Sequence, residues 1–279
     1  MNTRAPATSA PQADTRADIE TPSHPPGVRA RPGLRAGVWG ATGATGGEVL
    51  RQCVADPRIG EIVAFTRRPL KDDAQLQEQV RVVHVADFLD VTPHREDLRS
   101  LDVVYWCLGV SQLAEPKADR YRVITRDYAM AVAKVLHEDR REITFHFVSG
   151  TGAARNGLSP VMWGRVKGEA EKALAGVGLH RLVVWRPTFI HSVAKREKPT
   201  HGDRLAEVLH FRAIPLLTNS TVDIAQGMLH TTFVPDDRRD RTYGPWDIGR
   251  LGRAYRKAAK NDQLNGQQDT QDNQDKREP

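Results

Sequence analysis

The chain has 279 residues, 39% of them hydrophobic, and a formal net charge of +6, which suits one sizeable core rather than several small ones. No stretch approaches the ~20 apolar residues that cross a bilayer, and the N-terminus lacks a signal-peptide core, so a soluble, cytoplasmic protein is expected. Cys53 and Cys107 both sit in apolar segments and fit a reduced compartment. The ten histidines are scattered, without HExxH or CxxC spacing, so no metal is expected. Most of the positive excess lies between the terminal segments, with no basic run interleaved with aromatics, which favours an anionic small molecule over nucleic acid.

Residues 1–35 are rich in Pro, Ala, Thr and charge and read as a disordered arm. The folded domain is expected over 36–260. It opens with "GVWGA", a strand ending at Val38 and Trp39, followed by a turn at Gly40, Gly43 and Gly46 and a helix from Glu48 to Val54. Five further apolar runs follow: "EIVAFT", "VRVVHV", "LDVVYWCLG", "EITFHFVSG" and "RLVVWRP". Several are nearly continuous, as strands buried on both faces of a parallel sheet are. Between them, one helix carries Tyr121, Ile124, Tyr128, Ala131, Val132 and Val135 on a stripe, and another carries Trp163, Val166, Ala170, Leu174 and Val177. The alternation predicts an α/β fold with a doubly wound parallel sheet. Residues 261–279, "NDQLNGQQDTQDNQDKREP", read as a second disordered tail, acidic and rich in amides.

The glycine turn follows a strand and opens a helix, the context in which it cradles a dinucleotide pyrophosphate. A Cβ there would block both the tight backbone path and the approach of the phosphates. The expected cofactor cradle is therefore Gly40, Thr42, Gly43, Ala44, Thr45 and Gly46. The second strand ends in Arg67 and Arg68 where an NAD protein would place an acid. Two guanidiniums favour the 2′-phosphate of NADP(H) over NAD(H). Asp87 and Phe88, after the third strand, are placed to meet the adenine, and Cys107, Leu108 and Gly109 carry the backbone past the cofactor after the fourth.

Together "GATGATGGEVL", "TRRPL", "DYAMAVAKVL", "FHFVSGTGA", "WGRVKGEAEKAL" and "VVWRPTFI" resemble the atypical short-chain dehydrogenase/reductases, most of all the Tat-interacting-protein group, over roughly residues 36–255. The resemblance implies an NADP(H)-binding protein with a Rossmann sheet and a small C-terminal substrate region, mainly 188–245. It also implies cofactor contacts at Lys167 and Pro187. The family's chemistry uses a Tyr-x-x-x-Lys pair and a hydroxyl after the fifth strand. Here Lys167 is present, Trp163 stands in the tyrosine's place, and Ser149 and Thr151 are the hydroxyl candidates. An indole is a donor only and cannot deliver and recover a proton. His191 could enter the pocket from the loop after the sixth strand, whereas His146, Tyr121 and Tyr128 look structural. Two readings follow: an NADP-dependent oxidoreductase acting on a carbonyl or alcohol with altered proton delivery, or a cofactor-binding sensor or scaffold without turnover. The segment from His191 to Phe233 names no substrate, and a homodimer or a protein partner is left open.

Overall fold

All six apolar runs become strands because Val, Ile and aromatic side chains, stiff at χ1, pack well on a pleated surface covered on both faces. The computed structural model describes residues 33–70, 74–139, 142–191 and 218–275. In chain order the strands are β1 (Leu34–Trp39), β2 (Ile59–Thr66), β3 (Val80–His84), β4 (Val103–Trp106), β5 (Thr144–Val148), β6 (Arg181–Trp185), β7 (Phe189–His191), β8 (Thr218–Ser220) and β9 (Asp240–Tyr243). A seven-stranded sheet of order β3-β2-β1-β4-β5-β6-β9 is parallel throughout, and β7 pairs with β8 in a separate two-stranded sheet. The expected doubly wound α/β fold is present, and the order reverses between β1 and β4, where such sheets open a crevice beyond their carboxyl ends.

The helices are α1 (Ala44–Ala55), α2 (Ala74–Gln79), α3 (Arg95–Arg99), α4 (Ala118–Arg122), α5 (Tyr128–Glu138), α6 (Met162–Val177), α7 (Thr221–Phe233) and α8 (Pro245–Asp275). The single helix expected across Tyr121 to Val135 is interrupted: a π turn, Val123–Asp127, joins α4 to α5. The helical backbone of α8 also continues to Asp275, through most of the segment read as a disordered tail. Between Asn261 and Asp275 there is no proline to remove a helical N–H, and the stretch follows a packed helical start. The arm at 1–32 and the part of the expected substrate region at 192–217 lie outside the described residues.

Each face of the sheet carries a file of rings. Toward α3, α5 and α6, Trp39 stacks on Phe65 at 4.0 Å and faces Trp106 at 5.7 Å, which in turn meets Phe145 at 6.1 Å. Gly37 makes room for this file, since a Cβ there would lie 2.8 Å from Cζ3 of Trp39. On the face toward α1 and α7 the rings are Tyr105, His146, Trp185 and Tyr243. Trp185 Nε1 donates to Nδ1 of His146 at 3.0 Å, so the remaining proton of the neutral imidazole is on Nε2, which faces Thr232 Oγ1 at 3.0 Å. Burial pushes the His146 pKa well down. His146 is thus a neutral, hydrogen-bonded core residue, as the sequence indicates.

Asp56 ties this side together. Its carboxylate accepts from the Arg58 backbone N–H, Nε and Nη2 at 3.0, 2.9 and 2.7 Å and from the Tyr255 hydroxyl at 2.7 Å, while the Arg58 guanidinium lies 3.8 Å above the Phe233 ring. Burial works to raise the Asp56 pKa, but these donors outweigh it and hold it below the ordinary aspartate value. The clamp's contribution is complete above the unfolded pKa, about 3.9, and is lost as pH falls through the lower folded value. Urea midpoints should therefore fall steeply with acid in the wild type and less steeply in Asp56→Asn. Parallel pH dependences would show that the clamp adds nothing.

Candidate active site

The turn after β1 needs glycine for three separate reasons. Gly40 has φ +77°, and a Cβ on it would stand 2.7 Å from Leu108 N and 2.8 Å from Cys107 O. Gly43 has φ −88° and is the N-cap of α1, with no side chain capping the helix, so the first amide donors of α1 remain open to a ligand. Gly46 lies beneath the turn, where a Cβ would overlap the Gly40 carbonyl. Glycine lets β1 and α1 approach until backbone meets backbone.

A cleft of about 630 Å³ opens at this point. Gly40, Thr42 and Gly43 form one wall, and Arg67 and Arg68, directly after β2, form another. Cys107, Leu108 and Gly109, directly after β4, also line it, as do Phe88, Val123, Ile124 and Tyr128. The Arg67 guanidinium stands 5.4 Å from the Phe88 ring centroid, and Phe88 packs on Tyr128 at 5.4 Å. Tyr128, read as structural, is therefore a cleft residue as well. Burial pushes the Cys107 thiol up to about 12, which removes it as a nucleophile.

Six residues expected at the cofactor do not line this cleft: Asp87, Ala44, Thr45 and Gly46, and also Lys167 and Pro187, which lie by the turn after β5. Asp87 is exposed, and its Oδ1 accepts from the Leu89 N–H at 2.8 Å, so it stabilises its own turn. Thr45 and Gly46 are buried in the first turn of α1, and Ala44 begins that helix without reaching the cavity. The turn follows β1 as expected, but α1 begins at Ala44 rather than Glu48, so Gly46 belongs to the helix, whose phase decides which residues face outward.

The second group of expected residues gathers after β5. Ser149 is buried, and its hydroxyl donates to Glu171 Oε1 at 2.6 Å. Glu171, fully buried on α6, also accepts from Arg155 Nε and Arg186 Nε, each at 2.9 Å, and from Arg186 Nη2. The Ser149 proton is committed to a structural carboxylate. Thr151 is exposed; its hydroxyl donates to Arg186 O and its N–H to Pro187 O, both at 2.9 Å. The Trp163 ring lies on the Gly150–Gly152 turn: a Cβ at either glycine would meet it at 3.3 or 3.1 Å. One turn further on, Lys167 Nζ donates to Ser149 O at 2.8 Å and Val148 O at 3.4 Å. Burial lowers the Lys167 ammonium to about 8, against the opposing pull of Glu171. His191 ends β7, opposite Ser220 of β8.

Sequence reasoning missed Glu171, Arg155 and Arg186. The available signal was a glutamate beside Ala170, next to the apolar stripe of α6, and a charged residue breaking "VVWRP" directly after a buried strand. Buried charge needs a partner, so each predicted the other.

No family model matches the chain. It is 25% identical over 166 residues to the mitochondrial protein FMP52 of Candida albicans, covering 59% of this chain and 69% of that one. The FMP52 of Candida glabrata is 28% identical over 153 residues, covering 55% and 62%. Among solved structures it is similar to UDP-glucuronic acid 4-epimerase from Bacillus cereus in complex with NAD, with TM-score 0.57, 13% identity and 76% of each chain covered. It is similar to vestitone reductase from alfalfa to the same degree, with TM-score 0.57, 16% identity and 76% of each chain. No helix among the described residues is long and apolar enough to cross a membrane, and none of them form a cluster of His, Cys, Asp or Glu that could hold a metal. Strand order, crevice and neighbours together give this chain a doubly wound Rossmann-like fold, the one it shares with the epimerase and the reductase.

Proposed function

We propose that the chain binds NADP(H) and acts as an oxidoreductase on a carbonyl or alcohol. The observation that carries this reading is the convergence, in one cleft, of the glycine turn, the uncapped N-terminus of α1 and the paired Arg67 and Arg68. The residues fit the cofactor: Gly40 and Gly43 leave space and donors for a pyrophosphate, Arg67 and Arg68 offer cations for a 2′-phosphate, and Phe88 gives an apolar wall for a base. A bound nicotinamide would supply hydride. The chain's own residues would orient the cofactor and provide the proton at the turn after β5. The motif likeness to the Tat-interacting-protein group supports the same reading. The Bacillus cereus neighbour holds NAD, so the NADP preference rests on the two arginines. The relatives' names make a mitochondrial location the alternative to a cytoplasmic one, which cell fractionation decides.

Calorimetry tests the cofactor. NADPH should bind more tightly than NADH, and Arg67→Ala/Arg68→Ala should erase the difference; hydrogen bonds to charged groups contribute about 1.5–3 kcal/mol each. Equal affinities in the wild type would end the NADP assignment. A second reading, a cofactor-dependent sensor or scaffold, draws on Trp163 in the phenol's place and on the Ser149 hydroxyl held by Glu171. NADPH binding without consumption across a carbonyl panel would select it.

A further inference from the structure

Lys167 and Trp163 share one patch of backbone. From the point where a Cβ would stand on Gly150, Trp163 Cζ3 is 3.3 Å away and the Lys167 stem 3.6 Å at Cδ and 3.9 Å at Cε. The indole therefore covers the turn on which the lysine stem lies, one helical turn away on the same face of α6. The neighbouring hydroxyls are spoken for, Ser149 on Glu171 and Thr151 on Arg186 O. Lys167 Nζ has three protons and two carbonyl acceptors, so one N–H remains for a ligand.

We propose that Lys167 is the proton donor of this protein, and that Trp163 is a positioning residue that keeps its ammonium dry and aimed at the turn after β5. This rests on the oxidoreductase reading above. In carbonyl reduction the carbonyl carbon gains a hydride, its two electrons coming from the reduced nicotinamide, which is oxidised. The C=O π pair takes a proton from Lys167: an N–H bond breaks, an O–H bond forms, and the neutral amine recovers its proton from water. The phenol is not needed because the lysine itself titrates near working pH. Its pKa of about 8, lowered by burial, lies far closer to neutrality than that of an exposed lysine. The charged groups around it leave that value in place. Glu171 opposes the shift but is already held by Arg155 and Arg186, and Arg122 and Arg126 of the adjoining α4 and π turn reach Glu169, with Asp127 paired to Arg126.

Two measurements test this on the full chain. Competitive acetylation of Lys167 by acetic anhydride across pH, read by mass spectrometry without cofactor, should show a midpoint near 8. The midpoint should move toward the ordinary lysine value of about 10.4 in Trp163→Ala and stay low in Trp163→Phe. With NADPH and a panel of benzaldehyde, acetophenone and cyclohexanone, kcat/KM should fall as pH rises through the same midpoint. Lys167→Arg should lose about a hundredfold or more while still binding NADPH. A wild-type midpoint in the ordinary lysine range overturns the proposal. So does a rate that survives in Lys167→Arg, or one lost in His191→Gln with Lys167 titration unchanged. If NADPH binds and no member of the panel is reduced at any pH, the oxidoreductase reading fails and this inference with it. The other outcomes overturn the inference alone.

Discussion

Gly43→Val folds and loses NADPH, whereas Gly46→Ala, a smaller change three residues away, loses much of its stability. This is the expected outcome of comparing the two by calorimetry and thermal unfolding. Gly43 has φ −88°, open to any L-residue, and the Cβ position meets only the Gly40 carbonyl, at 3.2 Å. The structural cost is a poorer N-cap, about 1 kcal/mol. The same branched side chain stands in the cleft, over the open amides of α1, where a pyrophosphate must approach. A loss of roughly a hundredfold in affinity, about 2.8 kcal/mol, is expected. At Gly46 the added methyl meets the Gly40 carbonyl and its carbon, both backbone, so β1 and α1 must separate. Overpacking of that kind costs about 3 kcal/mol. Normal NADPH affinity in Gly43→Val would mean that the turn serves another ligand, and a fully stable Gly46→Ala would contradict the contact between β1 and α1.

Glu171 carries the other large effect. Its carboxylate is fully buried and collects Ser149, Arg155 and Arg186, so it joins the turn after β5, the helix α6 and the end of β6. Glu171→Ala leaves a buried hydroxyl and two guanidiniums without their acceptor. Removing one member of a buried ion pair costs about 3–5 kcal/mol. The low end applies here, because Arg186 and Arg155 are 27% and 38% exposed and can turn toward water. Arg155→Ala, which leaves the Arg186 pair intact, should cost less than half as much. The two variants' urea midpoints make the comparison. Equal losses would assign the stability to Arg155 alone, and a Glu171→Ala protein as stable as wild type would show that the carboxylate only balances its own desolvation.

The sheet was legible because its strands are buried on both sides. "LDVVYWCLG" and "RLVVWRP" need no alternation to be recognised, and their order along the chain sets the topology. β9 was missed for the opposite reason: Asp-Arg-Thr-Tyr is a four-residue edge strand whose first three side chains are polar, and only its pairing with β6 makes it a strand. In the cleft, Gly40, Gly43, Arg67, Arg68 and Phe88 could be read from their places after strands. That Asp87 turns away and Ser149 turns inward onto Glu171 depends on side-chain direction and on a partner twenty-two residues later. Spacing along a chain carries no such information.

The π turn between α4 and α5 separates two demands that one regular helix could not meet together. Val123 and Ile124 face the cleft, while Ala129, Val132, Ala133 and Leu136 pack into the core beside Trp106 and Phe145. In an unbroken helix each residue follows its neighbour by about 100°, so the phase required by the core would also dictate what the ligand meets. The wide turn takes up one extra residue and frees each half to keep its own phase. Substitutions at Val123 and Ile124 can therefore reshape the wall of the cleft without being transmitted to the packing of α5. A lineage can vary its ligand along this edge while the rest of the sheet's cover stays fixed.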